Sequence, residues 1–210
     1  MKLQDFVNGI KSISDYAWVH FEGRPNIEEI KKMLEFIHKT WEAHFLRRPK
    51  ISLEMEKLNR NYDPLLPLVD VIFVSKEYAL SKGFENKSEL VKGFHPDLKC
   101  LVICAWGDQG ASGRDLNGQI IEIPASKPPS GKNRTNRTVI SNHKHIFTHS
   151  YSLVLGVIDT IGAGDTFNAT VVACLSQGKN LTESLDTGCK VAGAKVGQVG
   201  YNGLKTIFYS

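Results

Sequence analysis

The stretch "VIDTIGAGDTFNATVVACL", Val157 to Leu175, carries the chain from an apolar strand end into a helix. Gly162 and Gly164 flank Ala163 at the crossing, and Asp165 follows at the helix mouth. The first amides of a helix lack intrahelical acceptors and carry partial positive charge. Glycine lets the backbone adopt positive φ and approach an anion closely. Gly162, Ala163 and Gly164 are therefore expected to form a cup of N–H donors, suited to a phosphoryl group whose oxygens gain negative charge during transfer. A carboxylate beside that cup has a separate role if it faces an attacking hydroxyl: it accepts the proton and aligns the oxygen. Asp165 is thus either a catalytic base or an ordinary helix-start residue behind a glycine turn. The longer string, Asp159-Thr160-x-Gly162-Ala163-Gly164-Asp165-x-Phe167, favours the base, because it lies between strand and helix as the chemistry requires.

Outward from this point the chain alternates strands and helices. "YAWVHFEG" (Tyr16–Gly23), "ISLEME" (Ile51–Glu56), "DVIFVS" (Asp70–Ser75) and "CLVICAW" (Cys100–Trp106) read as strands. Asn26 caps a helix with Glu29 as its capping-box partner. Ile27, Ile30, Leu34, Ile37 and Trp41 give that helix an apolar stripe destined for the core. Lys76 to about Leu80 and "SELVKG" are short helical pieces, and "DLNGQIIEIPA" holds an Asn-Gly hairpin turn. Two helices close the sequence, about Gly164 to Gln177, ending at Gly178, and about Thr182 to Val196. Continuous apolar strands between helices predict an α/β fold, a mostly parallel sheet with helices on both faces, within one domain spanning 1–210.

The segment Ser130–Gly156 breaks the rhythm. It is rich in Asn, His, Arg and Thr, and reads as a flexible surface insertion. His143, His145 and His149 lie in it without a nearby carboxylate or cysteine, so a solvated loop is expected rather than a metal site. No metal site is assigned to protein ligands alone.

The net charge of +4 is too small to argue for nucleic acid, although Ile123 to Ile158 carries Lys127, Lys132, Arg134, Arg137 and Lys144 with no acid. Cys100, Cys104, Cys174 and Cys189 show no CxxC spacing and are expected to be reduced and buried, as in a cytoplasmic protein. No signal-peptide core or membrane-spanning run appears, so neither membrane nor nucleic acid is an expected partner. "GAGDTF" lacks Gly-x-Gly-x-x-Gly spacing and lies late in the chain, which argues against a Rossmann dinucleotide site.

The Asp159–Phe167 string resembles the C-terminal signature of the ribokinase-type (PfkB) carbohydrate kinases. With "WVHFEGR", "DVIFVSKEYA", "CLVICAWGDQGA", "LSQGKNLTESLDTGCKVAGAKVG" and "GYNG" in order, the resemblance runs from about Lys11 to Gly203, except across the insertion, and fits the ketohexokinase branch of that family. It implies a ribokinase-like fold and transfer of phosphate from ATP, carried with Mg²⁺, to the primary hydroxyl of a sugar, fructose first. Asp165 would be the base and a sugar contact, and Gly162, Ala163 and Gly164 the anion hole. Lys76, Gly107, Asp108, Gln109 and Gly110 would line the nucleotide. Ala192, Gly193 and Gly197 would either let the adenine lie close or serve tight helix packing. Glu54 and Glu56 are either strand-face carboxylates or aid the metal through water. Where the family often has Asn-x-x-Glu, this chain has Ser75-Lys76-Glu77-Tyr78, as the ketohexokinase branch does. The family's N-terminal part, with its Gly-Gly-Asn sugar motif and dimerising β lid, has no counterpart here, and the sequence holds no Gly-Gly. That predicts an uncovered sheet edge or helix face, and leaves open a non-catalytic nucleotide-binding fragment or a PfkB kinase for ribose, adenosine or an aldose.

Overall fold

The computed structural model describes residues 1–10, 12–24, 26–44, 48–128 and 157–208. The expected insertion, 130–156, with its three histidines, lies outside the described residues.

A six-stranded sheet runs in simple sequence order. Its strands are β1 (Trp18–Glu22), β2 (Lys50–Met55), β3 (Val71–Val74), β4 (Leu101–Ala105), β5 (Ala111–Arg114) and β6 (Ile120–Ile123). The first four are parallel, and β4, β5 and β6 pair antiparallel. The sheet is therefore mostly parallel, as the apolar runs predicted, with a hairpin at its far edge. Asp115 Oδ1 shapes the Asn117-Gly118 turn of that hairpin by accepting the amides of Asn117 and Gln119. Among the described residues β1 pairs only with β2 and forms the other edge.

Alternation along the strands sorts side chains to two faces. Ile51, Leu53 and Met55 of β2, Ile72 and Val74 of β3, and Val102 and Cys104 of β4 enter one core. There they meet Ile30, Met33, Leu34 and Ile37 of α2 (Ile27–His44), and Leu90 and Val91 of α4 (Lys87–Gly93). Phe6 of α1 (Leu3–Gly9), Tyr78 and Ala79 of α3 (Lys76–Ser81) complete it. The residues of opposite parity, Val71, Phe73 and Ile103, pack with Phe167 and Val171 of α5 (Ala163–Ser176) and Leu181, Leu185 and Cys189 of α6 (Leu181–Val196). A last short helix, α7 (Leu204–Phe208), rests on α6 through Leu204, Val191 and Ala194.

The helix starts follow their caps, with one change. Asn26 Oδ1 accepts the Glu29 amide at 3.2 Å. The expected return bond is replaced: Glu29 instead accepts from the Leu3 amide and Lys32. The carboxylate thus joins α1 to α2 rather than closing its own helix. A complete capping box sits at α6, where Asn180 and Glu183 exchange side-chain-to-amide bonds at 2.9 and 3.0 Å. All four cysteines are buried free thiols.

Candidate active site

The segment that enters α5 is moored to the C-terminal turn of α6. Val196 O accepts the amides of Ile158 and Asp159 at 2.6 and 3.2 Å. Lys195, whose side chain is 1% exposed, donates from Nζ to Asp159 Oδ2 at 2.8 Å and to Asp159 O at 3.3 Å. Asp159 Oδ1 accepts the Ile161 amide at 3.0 Å. Lys195's hydrogen bond, aided by that amide, holds the Asp159 carboxyl below its ordinary value.

Gly162 then turns into the helix with φ 75°, the left-handed region that side-chain-bearing residues avoid. Space gives a second reason for glycine: a Cβ there would lie 2.0 Å from the Tyr201 hydroxyl. The face of that tyrosine ring is 5.3 Å from Lys195 Nζ. Of the expected cup, Ala163 is engaged, since its amide donates to Thr160 O at 3.2 Å. The amides of Gly162, Gly164 and Asp165 have no acceptor among the described residues. Beside Gly164 the space is open to 4 Å where a side chain would begin. Asp165 is exposed, and its carboxylate has no hydrogen-bond or ion-pair partner among the described residues.

One turn further along α5, Asn168 reaches the sheet. Its Nδ2 donates to Glu54 Oε1 at 2.8 Å. Glu54 Oε2 lies 3.8 Å from His20 Nε2. Ser52 Oγ is 2.7 Å from His20 Nδ1 and accepts from Trp18 Nε1 at 2.8 Å. Ser52 is fully buried, so its own hydrogen is satisfied by donating to Nδ1, which places the imidazole hydrogen on Nε2, toward Glu54. Glu54 is thus tied into a polar seam on the α5 face of β1 and β2, not a bare strand-face carboxylate. It also borders a hollow of about 240 Å³ with Glu22, Gly23, Arg24, Glu56 and Lys57. Glu56 there pairs with Lys57.

The remaining candidates form a path around the same end of the sheet, beyond the last residues of the parallel strands, where open α/β folds bind ligands. Lys76 opens α3 with its Nζ 5.6 Å from the Trp106 ring centroid. Gly107, Asp108 and Gln109 form an exposed helical turn directly after Trp106. Gly110, at φ 84°, lies so close to the Ile123–Ala125 backbone that a Cβ would meet Ile123 O at 2.1 Å. The chain then runs along α6: Ser126 O lies 2.4 Å from where a Gly193 Cβ would stand, and Pro128 lies 2.8 Å from the corresponding point at Gly197. Tight packing accounts for both of these small residues. Ala192 is half-buried against the α5–α6 core.

Sequence reasoning missed Lys195, His20, Ser52 and Asn168. Lysine in an amphipathic helix carries no mark of burial, and a pair 114 positions apart, Asn168 and Glu54, leaves no local pattern. Among the described residues no group of three or more His, Cys, Asp and Glu is placed to hold a metal, and no helix is long and apolar enough to cross a membrane.

Comparison with known proteins bears on the site. Residues 140–206 match the pfkB family carbohydrate kinases. The chain is 33% identical over 199 residues to the ketohexokinase of Mus musculus, covering 91% of this chain and 56% of the mouse protein. A probable sugar kinase from Rhizobium etli superposes with a TM-score of 0.68 at 17% identity, covering 100% of this chain and 56% of that one. The ribokinase from Cryptococcus neoformans, solved in complex with ADP, gives 0.65 at 17% identity, over 94% and 60%. The fold is ribokinase-like, and the chain spans little more than half the length of these relatives.

Proposed function

We propose that this chain is a pfkB-family carbohydrate kinase that passes the γ-phosphoryl group of ATP to the primary hydroxyl of a sugar, fructose first, giving fructose 1-phosphate. The observation that carries the reading is the mouth of α5. Amides and an exposed carboxylate that have no partner among the described residues stand together there, inside the stretch that matches the family.

The arrangement divides the chemistry as phosphoryl transfer requires. The amides of Gly162, Gly164 and Asp165 would donate to the phosphoryl oxygens, with the positive end of the α5 dipole behind them. The Asp165 carboxylate would accept the hydroxyl proton as the sugar oxygen forms its bond to phosphorus and the bond to the β-phosphate oxygen breaks. ADP and the sugar phosphate leave, and the proton passes from Asp165 to solvent. Lys76, beside Trp106, and the turn at Gly107–Gly110 would border the nucleotide. The space beside Gly164 is open where a side chain would begin, so the backbone there is accessible to a ligand oxygen. Mg²⁺ carried by ATP would neutralise charge on the phosphates, with Glu54 and Glu56, which border the hollow, as candidate carboxylates to aid it through water.

The test is ADP release with and without fructose, in the wild type and in Asp165→Asn. The expected result is fructose-dependent release that falls about 100- to 10,000-fold in the variant. Release that ignores fructose, or survives the substitution intact, overturns the reading. ADP binding without any turnover would instead support a nucleotide-binding unit.

A further inference from the structure

Lys195 is the one lysine among the buried polar and charged residues of the described chain. Burying an ammonium is costly unless it is paired and hydrogen-bonded. Among the described residues, the partners that meet this requirement all flank the mouth of α5. They are the carboxylate and carbonyl of Asp159, three residues before Gly162, and the ring of Tyr201, whose hydroxyl abuts Gly162. The next residue on α6, Val196, holds the Ile158 and Asp159 amides through its carbonyl.

We infer that Lys195 is a positioning residue that sets the shape and charge of the phosphate cup from behind; this rests on the reading of that cup as an anion site. The ammonium neutralises Asp159, so the carboxylate that precedes the cup in the chain does not repel an arriving phosphate. It also fixes Asp159 so that Oδ1 keeps the Ile161 amide. The carbonyl of Thr160 is then free to take the Ala163 amide, leaving the amides of Gly162 and Gly164 turned to a ligand. Through the Tyr201 ring the same cation holds the hydroxyl against Gly162. One buried charge therefore governs both walls of the turn.

The experiment compares wild type, Lys195→Met, Lys195→Ala and Tyr201→Leu. Titration with ADP and with adenosine separates phosphate contacts from the rest of the nucleotide. Lys195→Met is expected to weaken ADP about tenfold or more and leave adenosine unchanged. Methylammonium is expected to restore ADP affinity to Lys195→Ala, where the cation has room, and not to Lys195→Met. Tyr201 is more than half exposed, so Tyr201→Leu keeps the fold and is expected to move ADP affinity in the same direction by less. Equal losses for ADP and adenosine, or no rescue by methylammonium, overturn the inference. Amide hydrogen exchange across 161–165 is read in parallel without any nucleotide. Faster exchange there in Lys195→Met, with the rest of α5 unchanged, supports the positioning role even if the wild type binds no ADP, an outcome that would sink only the kinase reading. Unchanged exchange overturns it.

Discussion

Asn168 and Glu54 meet at 2.8 Å, joining the second turn of α5 to the end of β2. The bond fixes how the helix that bears Asp165 sits over the sheet. Hydrogen bonds to charged groups contribute about 1.5–3 kcal/mol, so Asn168→Ala is expected to cost about 2 kcal/mol in chemical denaturation. Glu54→Gln keeps a hydrogen-bonding group and is expected to cost less.

Gly162→Ala meets two penalties at once. The left-handed backbone costs a non-glycine residue about 1–2 kcal/mol, and the new Cβ would lie 2.0 Å from the Tyr201 hydroxyl. Denaturation should therefore show a larger loss in the wild-type background than with Tyr201→Ala, where only the backbone penalty remains. Equal losses in the two backgrounds would place the cost wholly in φ.

The ion pair of Lys195 with Asp159 predicts an acid-side dependence. The folded carboxyl lies below its ordinary value of 3.8, so the fold favours the ionised form. The contribution is complete above 3.8 and disappears as pH falls through the lower, folded value. Thermal midpoints of wild type and Asp159→Asn are expected to differ by a constant amount from neutral pH down toward 3.8, then converge as pH falls further through the folded value.

Burial pushes the thiols of Cys100 and Cys189 up to about 11 and that of Cys104 to about 12. The reactive thiolate is therefore scarce at these sites near neutrality. A thiol reagent at mildly alkaline pH is expected to label Cys100, Cys104 and Cys189 slowly in the folded protein and at once in denaturant.

Gly188 lies inside α6, where alanine would ordinarily favour the helix by about 1 kcal/mol. A Cβ here would stand 2.8 Å from Val171 and 2.9 Å from the Phe167 ring. Overpacking costs about 1–3 kcal/mol, so Gly188→Ala is expected to destabilise the protein, as read by its melting temperature.

Where local chemistry decides structure, the sequence was sufficient. The apolar runs became β2, β3 and β4, Asn117-Gly118 turned a hairpin, and the glycines at 162 and 164 opened α5. The helix began at Ala163, one residue before the expected start. What could not be read were bonds closed by the tertiary fold. Glu29 serves α1 instead of its own cap, and Ala163 spends its amide on Thr160 rather than the cup. Asp165 was legible because it opens a helix behind glycines. Lys195 was not, because only packing decides which lysine of a helix faces inward.

The two cores of the sheet are completed at different points of the chain. Every helix that covers the first comes from residues before β4, whereas Val71, Phe73 and Ile103 wait for Phe167, Val171 and Leu185. During synthesis on the ribosome, that side of the emerging sheet therefore stays uncovered by the described helices until α5 and α6 have left the exit tunnel. The mouth of α5 is part of the piece that seals it, so a nascent chain arrested before α6 would be sticky and would lack the settled candidate site.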